Sequence, residues 1–418
     1  MNIAPIKTHR EVITSRELGC GLPGEVFSRQ DIFETDVDIF FTKHWILVAV
    51  TADIPEPGDV FTTDIGKSSI LVLRDDDEQV RAYRNVCRHR GARLKEPGKS
   101  TVGMLVCPYH QWTYDLDGSL KHAAHMGKDF DPKCRSLIPV HCKVIGTHVF
   151  VCLSEEAPQD IAIQEEVMGA RFAPYELTKT RIAYELDYIE NGNWKLVMEN
   201  NRECYHCAAT HPELIVSYQS EDLGVSYEEM SEEARASYDA YQIRKAGIEA
   251  NWESEGHLYA TVEHLAENAA TQFRTQRMII AGSGESQTLD TKVACTRLLG
   301  NLTRRDLGDT HLWGNNGWTH VMSDHAMISW IIPLAPDRTL VRTKWLVHQD
   351  AVEGVDYDLQ RLTEVWVATT RQDANLVAIT HSGTQDPAYI PGPYSEFTEP
   401  YVDQFVRWYD ARLAAHGV

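Results

Sequence analysis

Two textures alternate along the first part of the chain, and each predicts a different kind of structure. From Trp45 onward, short apolar runs are separated by Pro, Gly and Asp, which is typical of strands joined by turns. The predicted strands are Ile46–Val50, Ser69–Leu73, Val80–Tyr83 and Val149–Leu153. Glu155–Thr178 is acidic and is interpreted as a linker. A small β-rich region is therefore predicted before the linker.

The second half mixes both periodicities. Arg181–Glu190 alternates as a strand, Asn193 begins a helix, and Ser217–Ala270 is acidic and mostly helical. Further strands are predicted at Arg277–Ile280, Lys292–Thr296, His320–Met322, Ala326–Pro333 and Thr339–His348. Leu359–Ser382 has the spacing of a long amphipathic helix. This half is predicted to be an antiparallel sheet wrapped by helices.

The length supports more than one domain. A chain of 418 residues is too long for one ordinary hydrophobic core. We predict a lead-in segment at 1–44 that packs on the second large domain, a β-rich domain at 45–155, and a larger domain at 156–418. The fold class is predicted to be α+β.

Charge and hydropathy exclude some functions. The formal net charge of −21 argues against nucleic-acid binding, because little would neutralise phosphates. No apolar run reaches the ~18 to 20 residues that a membrane span needs. The first residues lack the basic and apolar plan of a signal peptide. We expect a cytoplasmic protein.

The β-rich region contains a paired cysteine and histidine motif. One residue separates Cys87 from His89, and two residues separate Cys107 from His110. Zinc is one alternative, but zinc ligands usually pair cysteine with cysteine and histidine with histidine. Here each loop supplies one sulfur and one nitrogen, which favours a Rieske [2Fe–2S] cluster held by two cysteines and two histidines.

A second motif lies just after the predicted helix at Asn193. His206 and His211 are five residues apart, and Glu203 precedes them. Two histidines and one distant carboxylate are the ligands of non-haem Fe(II) oxygenases. A step of five residues turns a helix by about 500°, so the helix must unwind between the histidines, and Pro212 supports an ending there.

The cysteines beside His206 admit two interpretations. Cys204 and Cys207 could be metal ligands, or they could be buried small side chains, which is the commoner fate of a free cysteine. We favour the buried interpretation. The nine cysteines of this chain need not form disulfides in a cytoplasmic protein.

These motifs together resemble a known family. Cys87-Arg-His89-Arg-Gly91, Cys107-Pro-Tyr-His110-Gln-Trp112 and Glu203-Cys-Tyr-His206 are similar to motifs of the α (oxygenase) subunit of Rieske non-haem iron oxygenases. The resemblance implies a β-sandwich Rieske domain and a helix-grip (START-like) catalytic domain with a central antiparallel sheet. It also implies a [2Fe–2S] cluster and one mononuclear Fe(II).

The resemblance assigns roles residue by residue. It implies that Cys87, His89, Cys107 and His110 bind the cluster, and that His206, His211 and Asp373 bind the mononuclear iron. Asp373 matches the family's third ligand, the Asp of a Gln-Asp step. Glu203 matches the bridging acid, which links imidazoles of two neighbouring subunits. A homotrimer and a separate NAD(P)H-dependent flavin and iron–sulfur reductase are implied as well.

Segments of the second half narrow the branch. Trp345-Leu-Val-His348, Pro391-Gly-Pro-Tyr-Ser395 and Phe405-Val-Arg-Trp-Tyr409 look like the glycine betaine monooxygenase and quaternary-amine demethylase branch. The implied reaction is hydroxylation of an N-methyl group, followed by loss of formaldehyde. Two alternatives remain, namely hydroxylation of an aromatic acid, and an electron carrier with an empty mononuclear site.

Such a substrate predicts particular pocket residues. Aromatic faces attract a trimethylammonium group, and the candidates are Trp318, Trp330, Tyr389 and Tyr205. A betaine carboxylate would need a cationic partner, for which Arg277 and Arg342 are candidates.

Overall fold

The computed structural model describes residues 7–222 and 226–418 and divides the chain into two compact units. One unit joins the described part of Met1–Asp36 with Gly169–Val418, and the other is Val37–Met168. The domain limits predicted from the sequence stay predictions. No helix in the described residues is both long and apolar enough to span a bilayer.

Three short helices precede the first strand. They are α1 (His9–Ile13), α2 (Glu25–Ser28) and α3 (Gln30–Asp36), and a π-helical turn follows at Val37–Phe41. Asp36, the last residue of α3, is fully buried. It accepts hydrogen bonds from Trp194 and Tyr409 and forms an ion pair with Lys195. This buried carboxylate fixes the N-terminal helices to the large unit.

The unit Val37–Met168 is built from two antiparallel sheets. The strands are β1 (Ile46–Val50), β2 (Asp59–Ile65), β3 (Ser68–Arg74), β4 (Val80–Arg84), β5 (Gly98–Thr101), β6 (Leu105–Val106), β7 (Thr113–Tyr114), β8 (Leu120–His122), β9 (Pro139–Ile145) and β10 (His148–Cys152). Seven strands pair in the order β1-β10-β9-β4-β3-β2-β5, and three pair as β6-β7-β8. Leu71 and Tyr83 of the first sheet share one core with Leu105 and Tyr114 of the second.

The other unit is organised around one large antiparallel sheet. Its elements, with the helix that leads into it, are α4 (Ile161–Phe172), β11 (Thr180–Glu190), α5 (Trp194–Asn200), α6 (Cys207–Thr210), α7 (Pro212–Ile215), α8 (Glu232–Ser254), β12 (Val262–His264), β13 (Phe273–Met278), β14 (Asp309–Trp313), β15 (Gly317–Val321), β16 (Ala326–Ala335), β17 (Arg338–His348), α9 (Leu359–Thr384) and α10 (Pro400–Ala415). The strand order is β11-β17-β16-β15-β14-β13-β12. The predicted α+β class and the antiparallel sheet are confirmed.

Helix α9 covers this sheet and carries a candidate ligand. Its buried residues recur every three or four positions, including Leu362, Trp366 and Val377, and this stripe packs beside β11 and α5. Strand β16 is buried at every position from Ala326 to Pro333, as expected for a strand covered on both faces. The sheet and α9 therefore form a rigid support for the residues between them.

One predicted strand is wrong. Lys292–Thr296 lies outside the strands, although it contains the short apolar run Val293-Ala-Cys295, and Cys295 forms an isolated bridge with Tyr357. The carboxylate of Asp324 accepts hydrogen bonds from the backbone N–H groups of Ala294 (2.6 Å) and Cys295 (3.1 Å). These amides are satisfied by a side chain, so they do not pair with a neighbouring strand.

Candidate metal centres and cavity

The segment after α5 places two histidines at a break in the helix. The side chain of Asn193 caps α5 by accepting from Lys195 N, and α5 ends at Asn200. His206 directly precedes α6, while His211 leaves the helical region (φ −115°, ψ 68°) just before Pro212 begins α7. The predicted ending before Pro212 is confirmed, but the helix breaks at His211, and Cys207–Thr210 between the histidines remains a helical turn. This arrangement turns both imidazoles toward α9.

The two histidines meet Asp373 of α9. His211 Nε2 lies 3.0 Å and His206 Nε2 lies 3.4 Å from Asp373 Oδ1. The two imidazole rings are 5.1 Å apart, centre to centre, and nearly perpendicular. The structure therefore brings together all three residues that the sequence singled out for the mononuclear site.

Acceptors behind the two rings decide where their protons lie. His206 Nδ1 is 2.5 Å from Glu203 Oε1, and His211 Nδ1 is 2.8 Å from Gln372 Oε1. An ionised carboxylate and an amide oxygen only accept, so each Nδ1 carries the hydrogen in the neutral ring. Each Nε2 then offers a lone pair on the side of Asp373.

This arrangement fits a metal ion. Asp373 Oδ1 is buried and receives no N–H or O–H with hydrogen-bond geometry from the described residues. A buried oxygen beside two nitrogen lone pairs is unfavourable unless a cation or a proton lies between them. Two imidazoles and one carboxylate suit a non-haem iron site with open positions.

Without a metal, the site retains protons. Burial favours the neutral form of His206, but Asp373 and Glu203 outweigh it and raise the pKa of His206 to about 9. The pKa of His211 is also raised, against burial, by Asp373 and Gln372. Burial acts to raise the pKa of Asp373, yet the two histidines lower it. A metal ion must therefore displace protons when it binds.

A second candidate centre lies on two loops of the β-rich unit. Cys87 and His89 lie between β4 and β5, and Cys107 and His110 lie between β6 and β7. Both cysteines are buried and unpaired, whereas both histidines are exposed. The two imidazole rings lie 4.6 Å apart, centre to centre. All four predicted residues thus occupy two adjacent loops.

Local hydrogen bonds shape these loops. Gly91 N donates to Cys87 O (3.1 Å), and Gln111 N donates to Cys107 O (3.0 Å). The Tyr114 hydroxyl lies 3.3 Å from Cys87 Sγ, and His89 stacks on Trp112 at 4.7 Å. Burial raises the pKa of the Cys87 thiol, and the Tyr114 contact acts in the opposite direction. Two buried sulfurs and two neighbouring imidazoles fit the donor set of a Rieske cluster.

A cavity of about 280 Å³ opens beside the three-residue site. His206, His211 and Asp373 form part of its wall. Its other walls are rich in aromatic rings, namely Tyr218, Trp313, Trp318, Trp366, Phe397 and Tyr401. Such a cavity suits a small organic molecule placed next to the candidate metal.

Family models match both units. The Rieske [2Fe–2S] domain model matches residues 44–142, and the model of the ring hydroxylating alpha subunit (catalytic domain) matches residues 177–415. The glycine betaine monooxygenase oxygenase subunit of Pseudomonas aeruginosa (strain UCBPP-PA14) is 39% identical over 412 residues, which cover 97% of this chain and 92% of that relative. The chain belongs to the Rieske oxygenase α-subunit family.

Two further matches agree with this family. The carnitine monooxygenase oxygenase subunit of Escherichia coli (strain K12) is 31% identical over 197 residues, covering 46% of this chain and 52% of that one. The solved structure of the quaternary ammonium Rieske monooxygenase CntA with γ-butyrobetaine has a TM-score of 0.67 at 20% identity and covers 99% of both chains. At 20% identity, the likeness to this solved structure shows that the two chains share a fold.

Membership settles the cofactors. As a Rieske oxygenase, the chain is an enzyme with a [2Fe–2S] cluster in its Rieske domain and mononuclear iron in its catalytic domain. Such an oxygenase subunit implies a small-molecule substrate and a reductase partner that supplies electrons.

The pocket predictions for this Rieske oxygenase were only partly right. Trp318 lines the cavity, but Trp330 is buried beneath Lys344, Tyr389 donates to Leu22 O, and Tyr205 is 67% exposed. Among the described residues that line the cavity, Trp318 is the one predicted aromatic.

The prediction that Arg277 or Arg342 binds a substrate carboxylate is wrong, because neither is among the described residues that line the cavity. Arg277 donates to the Tyr175 hydroxyl and to Leu307 O, each at 2.8 Å, and Arg342 pairs with Asp187. The arginines that line the cavity are Arg202 and Arg274. Arg202 is buried, with its guanidinium 3.7 Å from the centre of the Trp313 ring.

The missed wall residues had usable signals. Trp366 lies seven residues before Asp373, which is two helical turns along the same face. Trp313 lies directly opposite Trp318 across the tight turn between β14 and β15. Once this register is known, the position of Trp318 at the cavity implies that Trp313 lies beside it. Gln372 adjoins Asp373, and its role as the acceptor for His211 was not foreseen.

The two cysteines beside His206 form a disulfide. Cys204 and Cys207, with their Cα atoms 4.9 Å apart, are bonded to each other. The interpretation as separate buried thiols is therefore wrong, although Cys207 itself is buried. The non-helical turn before α6 folds back far enough for the two sulfurs to meet, which the sequence spacing alone did not indicate.

Proposed function

We propose that this chain is the oxygenase component of a two-component monooxygenase that removes a methyl group from a betaine-like quaternary ammonium compound. The observation that carries this proposal is an aromatic cavity that opens onto His206, His211 and Asp373. The 39% identity with a glycine betaine monooxygenase oxygenase subunit across nearly the whole chain supports the substrate class.

The proposed metal ligands follow from the donor sets. Cys87, His89, Cys107 and His110 would hold the [2Fe–2S] cluster, and His206, His211 and Asp373 would hold the mononuclear iron. When bound, the cluster supplies single electrons and the mononuclear iron supplies a site for dioxygen activation. We retain the domain limits 1–44, 45–155 and 156–418 as part of this proposal.

The reaction balances as a two-electron oxygenation. A quaternary nitrogen has no lone pair, so the methyl C–H bond is the position that is oxidised. One N-methyl group, O₂, two electrons and two protons give an N-hydroxymethyl group and water. The C–N bond then breaks, which gives formaldehyde, the demethylated amine and one proton. The electrons come from NAD(P)H through a flavin and iron–sulfur reductase.

The cavity walls would hold the cation. Trp318, Trp366 and Tyr218 line the cavity, and the electron-rich faces of such rings would attract a trimethylammonium group. Trp366 is fixed by donating from Nε1 to Gln287 Oε1 (2.8 Å). A fixed ring of this kind would position a methyl group relative to the metal and lower the ordering cost of binding.

Glu203 is proposed as the bridging catalytic acid. Its Oε1 accepts from His206, and its Oε2 accepts from Tyr205 N, so the carboxylate is already oriented. Electrons would pass from the cluster of one subunit to the mononuclear iron of the next in a cytoplasmic, head-to-tail homotrimer. The solved structure of a quaternary ammonium Rieske monooxygenase is described as giving insights into inter-subunit electron transfer, which supports this arrangement.

A screen of methylated amines tests the proposal. The purified protein, with about three iron atoms per chain expected from the two donor sets, would be supplied with a generic reductase and NADH. Formaldehyde release from glycine betaine or a related betaine is the expected result. Hydroxylation of an aromatic acid without formaldehyde release would refute it, and two iron atoms per chain with no turnover would indicate an electron carrier.

A further inference from the structure

The disulfide next to His206 lies within the donor set of the catalytic site. The sulfur of Cys207 and one ring nitrogen each from His206 and His211 lie within 4.8 Å of one another. Cys207 is buried, and its sulfur is bonded to Cys204. A potential third strong ligand is therefore present but chemically blocked.

The state of this bond changes the ligands that the site can offer. Metals bind the thiolate of cysteine, and a disulfide sulfur carries no such charge. With the bond closed, the donors are His206, His211 and Asp373, which leave open positions as non-haem iron sites require. With the bond open, Cys207 adds a thiolate beside the two histidines, and zinc favours sulfur and nitrogen ligands of this kind.

The bond is placed where its state can change. Cys204 is half-buried, and it lies in the non-helical turn between α5 and α6. A small or protein dithiol could attack the disulfide there, giving two protein thiols and the oxidised dithiol. A peroxide would restore the bond, with two thiols and one H₂O₂ giving the disulfide and two waters.

We propose that the Cys204–Cys207 pair sets the metal preference of the catalytic site. The closed disulfide leaves only the histidines and Asp373 as donors, and the open dithiol adds the Cys207 thiolate and shifts the preference of the site toward zinc. This inference rests on the ligand assignment made above for His206 and His211.

X-ray absorption at the zinc edge tests the inference, because the cluster contains iron and stays invisible at that edge. The mononuclear site of the full-length protein would be stripped with a chelator and loaded with zinc, with and without dithiothreitol. The reduced protein should show a sulfur neighbour at about 2.3 Å, and the oxidised protein should show only nitrogen and oxygen neighbours at about 2.0 Å. Zinc affinity should rise roughly tenfold or more on reduction.

Two matched variants give the controls. Cys204→Ser leaves Cys207 permanently free, so the sulfur neighbour should appear with or without reductant. Cys207→Ser should lack it under both conditions. Absence of the sulfur neighbour in both the reduced wild type and Cys204→Ser would overturn the inference, and so would full alkylation of both cysteines in the protein before reduction.

A third variant separates this inference from the proposed function. His211→Ala should abolish zinc binding in either redox state while the cluster absorbance is retained. If His211→Ala still binds zinc normally, the ligand assignment is wrong. If His211→Ala loses zinc and the sulfur signal is nevertheless absent from the reduced wild type, only the role of the cysteine pair fails.

Discussion

Gln372 should control how tightly the catalytic site holds its metal, although it is not a proposed ligand. Its Oε1 accepts from His211 Nδ1 at 2.8 Å, and its Nε2 donates to Glu213 Oε2 at 2.8 Å. These two contacts fix both the amide orientation and the tautomer of His211. Gln372→Leu keeps the approximate volume and removes the acceptor.

The cost of this change follows from the burial of His211. The His211 side chain is only 1% exposed, so water cannot easily replace the lost acceptor. An unpaired buried N–H costs about 1–3 kcal/mol. The ring can avoid that cost by moving its hydrogen to Nε2, which removes the lone pair that faces Asp373. Either outcome weakens metal binding by roughly 10- to 100-fold, the range seen for partners of metal ligands.

The measurement is a competition between the protein and a chromophoric chelator for Fe(II) under anaerobic conditions. The visible spectrum of the cluster serves as an internal control, because it reports an independent metal site in the same molecule. Asn375→Leu is a matched control, since Asn375 is an exposed amide three residues further along α9. An Fe(II) affinity within twofold of the wild type for Gln372→Leu would refute the reasoning.

Three further outcomes are expected. Asp36→Asn should lower the free energy of unfolding in urea by about 3–5 kcal/mol, because it leaves the buried ammonium of Lys195 without its counterion. The control Asp38→Asn removes an exposed ion pair with Lys43 and should cost less than about 1 kcal/mol. Burial raises the pKa of Glu199 to about 8, from 4.5 in the unfolded chain, so the folded protein holds a proton that the unfolded chain releases between these pH values. The free energy of unfolding of the wild type should therefore fall by roughly 1.4 kcal/mol per pH unit more than that of Glu199→Gln. Equal slopes of urea midpoint against pH across pH 5–8 would contradict this. Trp318→Leu should raise the KM for a betaine by roughly 2- to 30-fold while Trp318→Phe retains most of the affinity, and a loss that is equal in both variants would argue against cation–π binding.

The sequence predicted what depends on local pattern. The spacing of buried residues in Leu359–Thr384 follows directly from helical periodicity, so α9 and the position of Asp373 on it were accessible. The break before Pro212 follows from the missing N–H of proline and from the angle between residues five apart. These local facts placed Asp373 on a helix and a break beside His211, whereas the expectation that Asp373 meets His206 and His211 came from the family resemblance.

The sequence could not predict what depends on distant partners. Lys292–Thr296 contains a short apolar run like that of a strand, but the Asp324 carboxylate some 30 residues away accepts from the backbone N–H groups of Ala294 and Cys295. Arg277 was a candidate for binding a substrate carboxylate, but its guanidinium donates to the Tyr175 hydroxyl and to Leu307 O instead. The same limit applies to Trp313, whose place in the cavity depends on the register between β14 and β15.

The exposure of the candidate cluster ligands bears on the proposed electron path. Cys87 and Cys107 are buried in the core of their unit, whereas His89 and His110 are exposed. A cluster held in this way would present its histidine-bound iron to the surface, and the imidazole edges are the shortest way out for an electron. Glu203 is in turn only partly buried and already holds His206 through one oxygen. An exposed imidazole on one subunit and an accessible carboxylate on the next are complementary, because the ring N–H donates and the carboxylate accepts. This complementarity supports the proposal that electrons pass between subunits.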